Sequence, residues 1–135
     1  MPTKKSKQRN AGRWTESRYK GFITSSLRAA FRKWPPKFDV LKNAAVCKKI
    51  NESTGRLATH YRCTKCRELF PQKQIQVDHV QPVVDTKKGF VSWDVFIDRL
   101  FCEADNLQLL CKNCHKEKSK KERKHRDKQR KNTGV

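Results

Sequence analysis

Acidic side chains are scarce in this chain: 13 Asp and Glu stand against 33 Lys and Arg, for a net charge of +20. A long apolar run is also missing. No stretch reaches membrane length, and no signal-type apolar segment follows the basic N-terminus, which excludes a spanning helix and leaves the cytoplasm as the expected location. The apolar fraction, 35%, is low for a globular protein. With 135 residues the chain has room for one small domain with a limited core, the size class that often needs a staple. There is no internal repeat beyond a doubled Cys-x-x-Cys.

The positive charge is unevenly spread. Residues 1–37 carry a net +10, residues 112–135 a net +8, and residues 38–111 only +2. A near-neutral middle between two cationic arms is a footprint for a polyanion, and nucleic acid is the obvious one because counterion release drives such binding. A solvated basic surface or a ribosome-like scaffold would give the same balance.

Periodicity divides the chain. Residues 1–13 are polar, basic and nearly free of apolar anchors, which predicts disorder. Tyr19, Phe22, Ile23, Leu27, Ala30, Phe31 and Trp34 recur at helical spacing, so a helix is expected over 16–34, its aromatics in the core and Pro35 and Pro36 ending it. A weaker stripe of Phe38, Leu41, Ala45 and Cys47 suggests a second helix over about 37–50, followed by a turn at 53–55. Residues 57–80 read as β-rich, with Ile75, Val77 and His79 alternating against Gln76, Asp78 and Val80. Ser92 is placed to cap a short helix over 93–103. A charged helix should follow residue 111, supported by the pairs Glu117–Lys121, Glu122–Arg126 and Asp127–Lys131.

The strongest single signal is Cys63, Cys66, Cys111 and Cys114. Two residues between ligands let each pair place both sulfurs on one tetrahedral ion, and soft thiolates with no open position favour structural zinc. The pairs are 44 residues apart, so the metal closes a long loop. A redox role is disfavoured because no thioredoxin-like βαβ pattern surrounds either pair. Cys47 and Cys102 fall outside this scheme, on presumptive apolar helix faces.

Inside the loop stands Val77-Asp78-His79-Val80. Asn106 follows 27 residues after His79, and His115 nine residues later, directly after the last cysteine. The stretch VDHVQPVVD…DNLQLLCKNCHKEK, about residues 60–120, resembles the HNH endonuclease family, more narrowly its phage and homing-type members with two Cys-x-x-Cys pairs around a ββα-metal motif. Residue chemistry agrees with that resemblance. Phosphodiester hydrolysis needs a base for water, a Lewis acid on the phosphate and stabilisation of the leaving oxygen. His79 can be the base, the role to which an imidazole side chain is suited. Asp78 offers a hard oxygen and His115 a nitrogen to one magnesium or manganese ion. The resemblance implies the same roles and makes Asn106 the residue that orients the base; the sequence alone leaves direct metal ligation by Asn106 open. Adjacent strand residues point to opposite faces, so the strand must end, bulge or turn at Asp78 and His79 if both serve one site. The interval from His79 to Asn106 is longer than in the compact family pattern, with 86–103 adding a helix.

The expectation is therefore an α+β protein: N-terminal helices, a zinc-stapled ββα-metal core and a basic C-terminal helix. The divisions are a disordered basic arm at 1–15, a helical DNA-contacting region at 16–56, a nuclease core at 57–120 and a basic tail at 121–135. Arg18, Lys20, Arg28, Arg32, Lys33, Lys116 and Lys120 are the expected contacts to double-stranded DNA, with modest sequence specificity. A phage origin, in the host cytoplasm with a DNA-packaging or replication partner, follows from resemblance only. The competing class is a non-catalytic zinc-ribbon nucleic-acid-binding protein, which has no need of Asp78, His79 and His115 together.

Overall fold

Pro35 and Pro36 begin a helix as well as following one. In the computed structural model, which describes residues 8–133 and side chains as far as Gln129, α1 (Glu16–Phe31) ends before them and α2 (Pro35–Ala44) starts at Pro35. Proline is suited to the first helical turn because its missing N–H is one that the helix leaves unbonded there. The chain divides into two compact units, Met1–Lys33 and Trp34–Val135.

In the first unit, Thr15 Oγ1 caps α1 by accepting from the Arg18 N–H at 3.1 Å. The expected disordered arm is only partly outside the described residues. Residues 1–7 lie there, whereas residues 9–14 form a tight turn closed by an Arg9–Trp14 bridge, with Asn10, Ala11 and Gly12 at positive φ. The aromatic stripe of α1 is a buried core only at Phe31. Phe22 is exposed and packs on Trp14 at 5.3 Å, while Arg9 and Arg18 stack on Tyr19 and Trp14. Ring faces hold guanidinium groups here, a local use of the aromatics that helical spacing does not reveal.

The second unit is α+β with two small sheets. The helix expected over 37–50 stops at Ala44, and Ala45–Ile50 is a strand, β1, paired antiparallel with β2 (Leu57–Arg62). Asn51 and Gly55 (φ +68°) turn the hairpin. β2 pairs in turn with β3 (Leu69–Pro71). Cys47 is consequently exposed on an edge strand, not in the core. The boundary expected at 56/57 falls inside this hairpin, so α2 and β1 belong with the zinc-ligand region.

The second sheet pairs β4 (Ile75–His79) with β5 (Leu107–Cys111), in regular register from Ile75–Cys111 to His79–Leu107. α4 (Lys112–Thr133) follows β5 without a loop. Leu107, Leu109, Leu110 and Cys111 make β5 the most buried strand. Between the two strands lies α3 (Trp93–Leu100), capped by Ser92 Oγ as expected, with Phe96 and Leu100 in the core. Its C-terminal end is fixed to α2: Trp34 Nε1 donates to the Cys102 carbonyl at 2.6 Å, and the Trp34 and Phe101 rings meet edge to face. The 80–92 segment reaches α4 through a 2.7 Å hydrogen bond between Thr86 and His125.

The ion pairs on α4 differ from those expected. Glu117 lies 3.5 Å from Lys65, and Glu122 pairs with Lys118. Lys131, the partner expected for Asp127, has its side chain outside the described residues. Among the described residues no helix is long and apolar enough to cross a membrane.

Candidate functional site

Cys63, Cys66, Cys111 and Cys114 converge, with all four sulfurs within 4.8 Å of one another. Zinc–sulfur bonds of about 2.3 Å on a tetrahedron place sulfurs about 3.8 Å apart, and the 4.0 Å between Cys66 and Cys111 fits that spacing. The donor set suits zinc, and these are the residues that would hold it. The first knuckle is built by local backbone bonds. Cys63 and Glu68 are joined at 2.9 Å, the Arg67 N–H donates to the Cys63 carbonyl, and Arg67 takes the left-handed conformation (φ +67°) that closes the turn. Thr64 N–H donates to the Leu109 carbonyl and fastens the knuckle to β5. The second knuckle is the junction of β5 and α4, where the Cys114 N–H points at the Cys111 sulfur.

Without a metal the thiols differ in acidity. Burial acts to raise the Cys63 pKa, but backbone N–H groups of Cys111, Cys66 and Lys65 outweigh it and bring the thiol down to about 6. Burial, followed by the neighbouring thiols, pushes Cys114 up to about 12. A metal ion would remove this contrast by making every sulfur a thiolate.

One turn along α4, His115 Nε2 lies 3.6 Å from Asp78 Oδ1, which reaches across from β4. Two ligands each about 2.1 Å from one hard cation are at most about 4.2 Å apart, so the pair fits a shared ion. Asp78 Oδ2 is closed off from solvent without an aligned hydrogen-bond donor. Its close neighbour is Lys118 Nζ, at an ion-pair distance of 2.9 Å. Burial alone would lower the Lys118 pKa, but its contacts with Glu122 and Asp78 outweigh that and raise it.

β4 neither bulges nor slips at Asp78 and His79; it ends there. Regular alternation sends Asp78 toward α4 and buried His79 the other way, where its Nε2 lies 2.8 Å from the Leu100 carbonyl. A carbonyl can only accept, so Nε2 carries the proton and the neutral ring's basic lone pair is on Nδ1. The bond explains one use of the additional 86–103 segment: its helix delivers the carbonyl that orients His79.

Asn106 ties the exit of β4 to the entrance of β5. Its backbone carbonyl accepts from Val80 N–H at 2.8 Å and its Oδ1 from Gln81 N–H at 3.2 Å. The side-chain oxygen thus acts on the chain directly after His79, which is an orienting geometry.

Of the cationic residues singled out for DNA, Arg18, Lys20 and Arg28 are on α1 and Arg32 and Lys33 just beyond it, all in the first unit; Lys116 and Lys120 are exposed on α4 in the second. Sequence reasoning passed over Lys118 and the Leu100 carbonyl. Lys118 had a signal, since positions 115, 118 and 122 share one helix face. A backbone carbonyl has none. No protein-family model, curated protein or solved structure matches the chain.

Proposed function

We propose that this chain is a metal-dependent DNA endonuclease of the HNH type, with β4, β5 and α4 serving as the ββα-metal core. The observation that carries the reading is the approach of Asp78 and His115 across β4 and α4; His79 follows Asp78 at the end of β4, with its ring on the other face of the strand. Magnesium or manganese held by Asp78 and His115 would supply Lewis-acid charge to the scissile phosphate and its departing 3′ oxygen.

The chain's own groups do the rest. His79, its ring set by the Leu100 carbonyl, takes a proton from the attacking water at Nδ1; the water oxygen bonds to phosphorus as the bond to the 3′ oxygen breaks, the 3′ oxygen takes a proton from solvent to become a hydroxyl, and the 5′ phosphate remains. Asn106 holds the backbone after His79 so that the ring keeps its orientation. The four cysteines would hold zinc, and Cys114 held in this way would fix its neighbour His115. The basic flanks bind double-stranded DNA through its phosphates, with base contacts too few for strong specificity. A phage-encoded enzyme acting in the host cytoplasm, alone or with a DNA-packaging or replication partner, is the setting that the family resemblance implies.

A non-catalytic zinc-ribbon DNA binder is the second reading. Burial of His79 and the ammonium on Asp78 favour it. Supercoiled plasmid separates the two. The nuclease nicks or linearises it with magnesium or manganese and not with a chelator of those ions, and His79→Ala binds DNA without cutting. If the wild-type protein shifts DNA in a gel and never cuts it under any divalent cation, the binding reading stands.

A further inference from the structure

Lys118 is the unusual member of the Asp78 cluster. It is one helical turn from His115, on the same face of α4, and its ammonium sits between two carboxylates, 2.9 Å from Asp78 Oδ2 and paired with Glu122. The Lys118 side chain is 20% exposed and that of Asp78 16%, so solvent screens this contact less than one on an open surface. Asp78 Oδ2 is otherwise shut in without an aligned donor. The ammonium therefore stands on the carboxylate that the proposed function gives to the divalent cation.

Both positive charges cannot hold that carboxylate at full strength. A divalent ion on Asp78 would lie within a few ångströms of Nζ, where repulsion in a half-buried setting is large compared with thermal energy. Glu122 offers the way out. It is one turn further along α4 and already pairs with Lys118, so the ammonium can leave Asp78 without becoming an unpaired charge. We propose that Lys118 is a resident counter-cation of the site: it neutralises and holds Asp78 in the metal-free protein, and a divalent ion binds by displacing its ammonium from Asp78 onto Glu122. This inference rests on the assignment of Asp78 and His115 as ligands. Lys118 is a positioning residue under it, acting on the reaction through Asp78 and setting how much free cation the enzyme needs.

Manganese binding to the zinc-loaded full chain tests it, by titration calorimetry and by the rise in melting temperature on adding manganese. Four proteins are compared: wild type, Lys118→Met, Lys118→Arg and Asp78→Asn. Lys118→Met keeps the aliphatic stem and removes the competing charge, so it should bind manganese roughly tenfold more tightly and show the larger thermal shift. Lys118→Arg keeps the charge and should stay near wild type, and Asp78→Asn should lose binding. Equal or weaker binding by Lys118→Met, with Asp78→Asn still defective, overturns the displacement and leaves the ligand assignment intact. If none of the four binds manganese, the ligand assignment falls and this inference falls with it.

Discussion

Asn106 ties the chain after His79 to the entrance of β5. Its Oδ1 holds the Gln81 N–H two residues after His79. Asn106→Ala removes the acceptor and should cost about 1 kcal/mol in urea denaturation, with a fall in cleavage under saturating cation. Asn106→Asp keeps an oxygen acceptor and should recover most of both. Equal losses in the two variants would mean that the hydrogen bond is not what matters. The residues themselves were legible from type and spacing: Asp78, His79, Asn106 and His115 stand out in the sequence, and the structure brings Asp78 and His115 together. What spacing did not carry is the set of second contacts. The Leu100 carbonyl on His79 and the Lys118 ammonium on Asp78 come from elements that meet only in three dimensions.

The elements follow sequence where a local signal is strong and depart from it where pairing decides. Ser92 caps α3, and the two Cys-x-x-Cys knuckles fall in the turn between β2 and β3 and at the junction of β5 and α4. Ala45–Ile50 reads as the end of a helix but is a strand, because its partner Leu57–Arg62 lies across a turn and pairs with it; strand preference depends on neighbours that a local window does not contain. The α1 stripe suggests a core, and Phe31 is buried as such, whereas Tyr19 is a platform for Arg9 and Phe22 is exposed. α3 is the element on which the account places a functional task, and its anchors can be tested. Leu100 is almost fully buried, so Leu100→Ala should destabilise the fold by about 2–5 kcal/mol in chemical denaturation. Trp34→Phe removes the donor to the Cys102 carbonyl and should cost about 1 kcal/mol. It should also lower cleavage if the end of α3 orients His79 as described. An undisturbed cleavage rate in a measurably destabilised Trp34→Phe protein would detach α3 from the site.

At the scale of the molecule, the four cysteines that could hold a metal ion converge in the core of the second unit. Three of the four are buried, and Cys63, Leu110, Cys111 and Cys114 form one cluster against Phe70. Zinc removal by a strong chelator, or Cys111→Ser, should therefore abolish the cooperative thermal transition; a variant that keeps its native melting profile would show that the cluster is not a staple. The thiol acidities add a sign. Cys63, at about 6, is already a thiolate near pH 8, whereas Cys114, at about 12, holds its proton there. Zinc affinity should fall between pH 8 and pH 6, because protons compete for the same sulfurs. Equal zinc affinity at the two pH values would contradict that competition. The charge asymmetry makes a further demand: with +20 overall, affinity for duplex DNA should drop steeply as salt rises, independent of sequence.

The central claim is that His79 is the base in a cation-dependent cut of DNA. Single-turnover cleavage of a labelled duplex by wild type and His79→Ala, at saturating manganese and with added imidazole, tests it most directly. The account predicts that His79→Ala binds the duplex but does not cut it, and that free imidazole entering the vacated space restores part of the rate. Cleavage by His79→Ala at the wild-type rate, without imidazole, would contradict it.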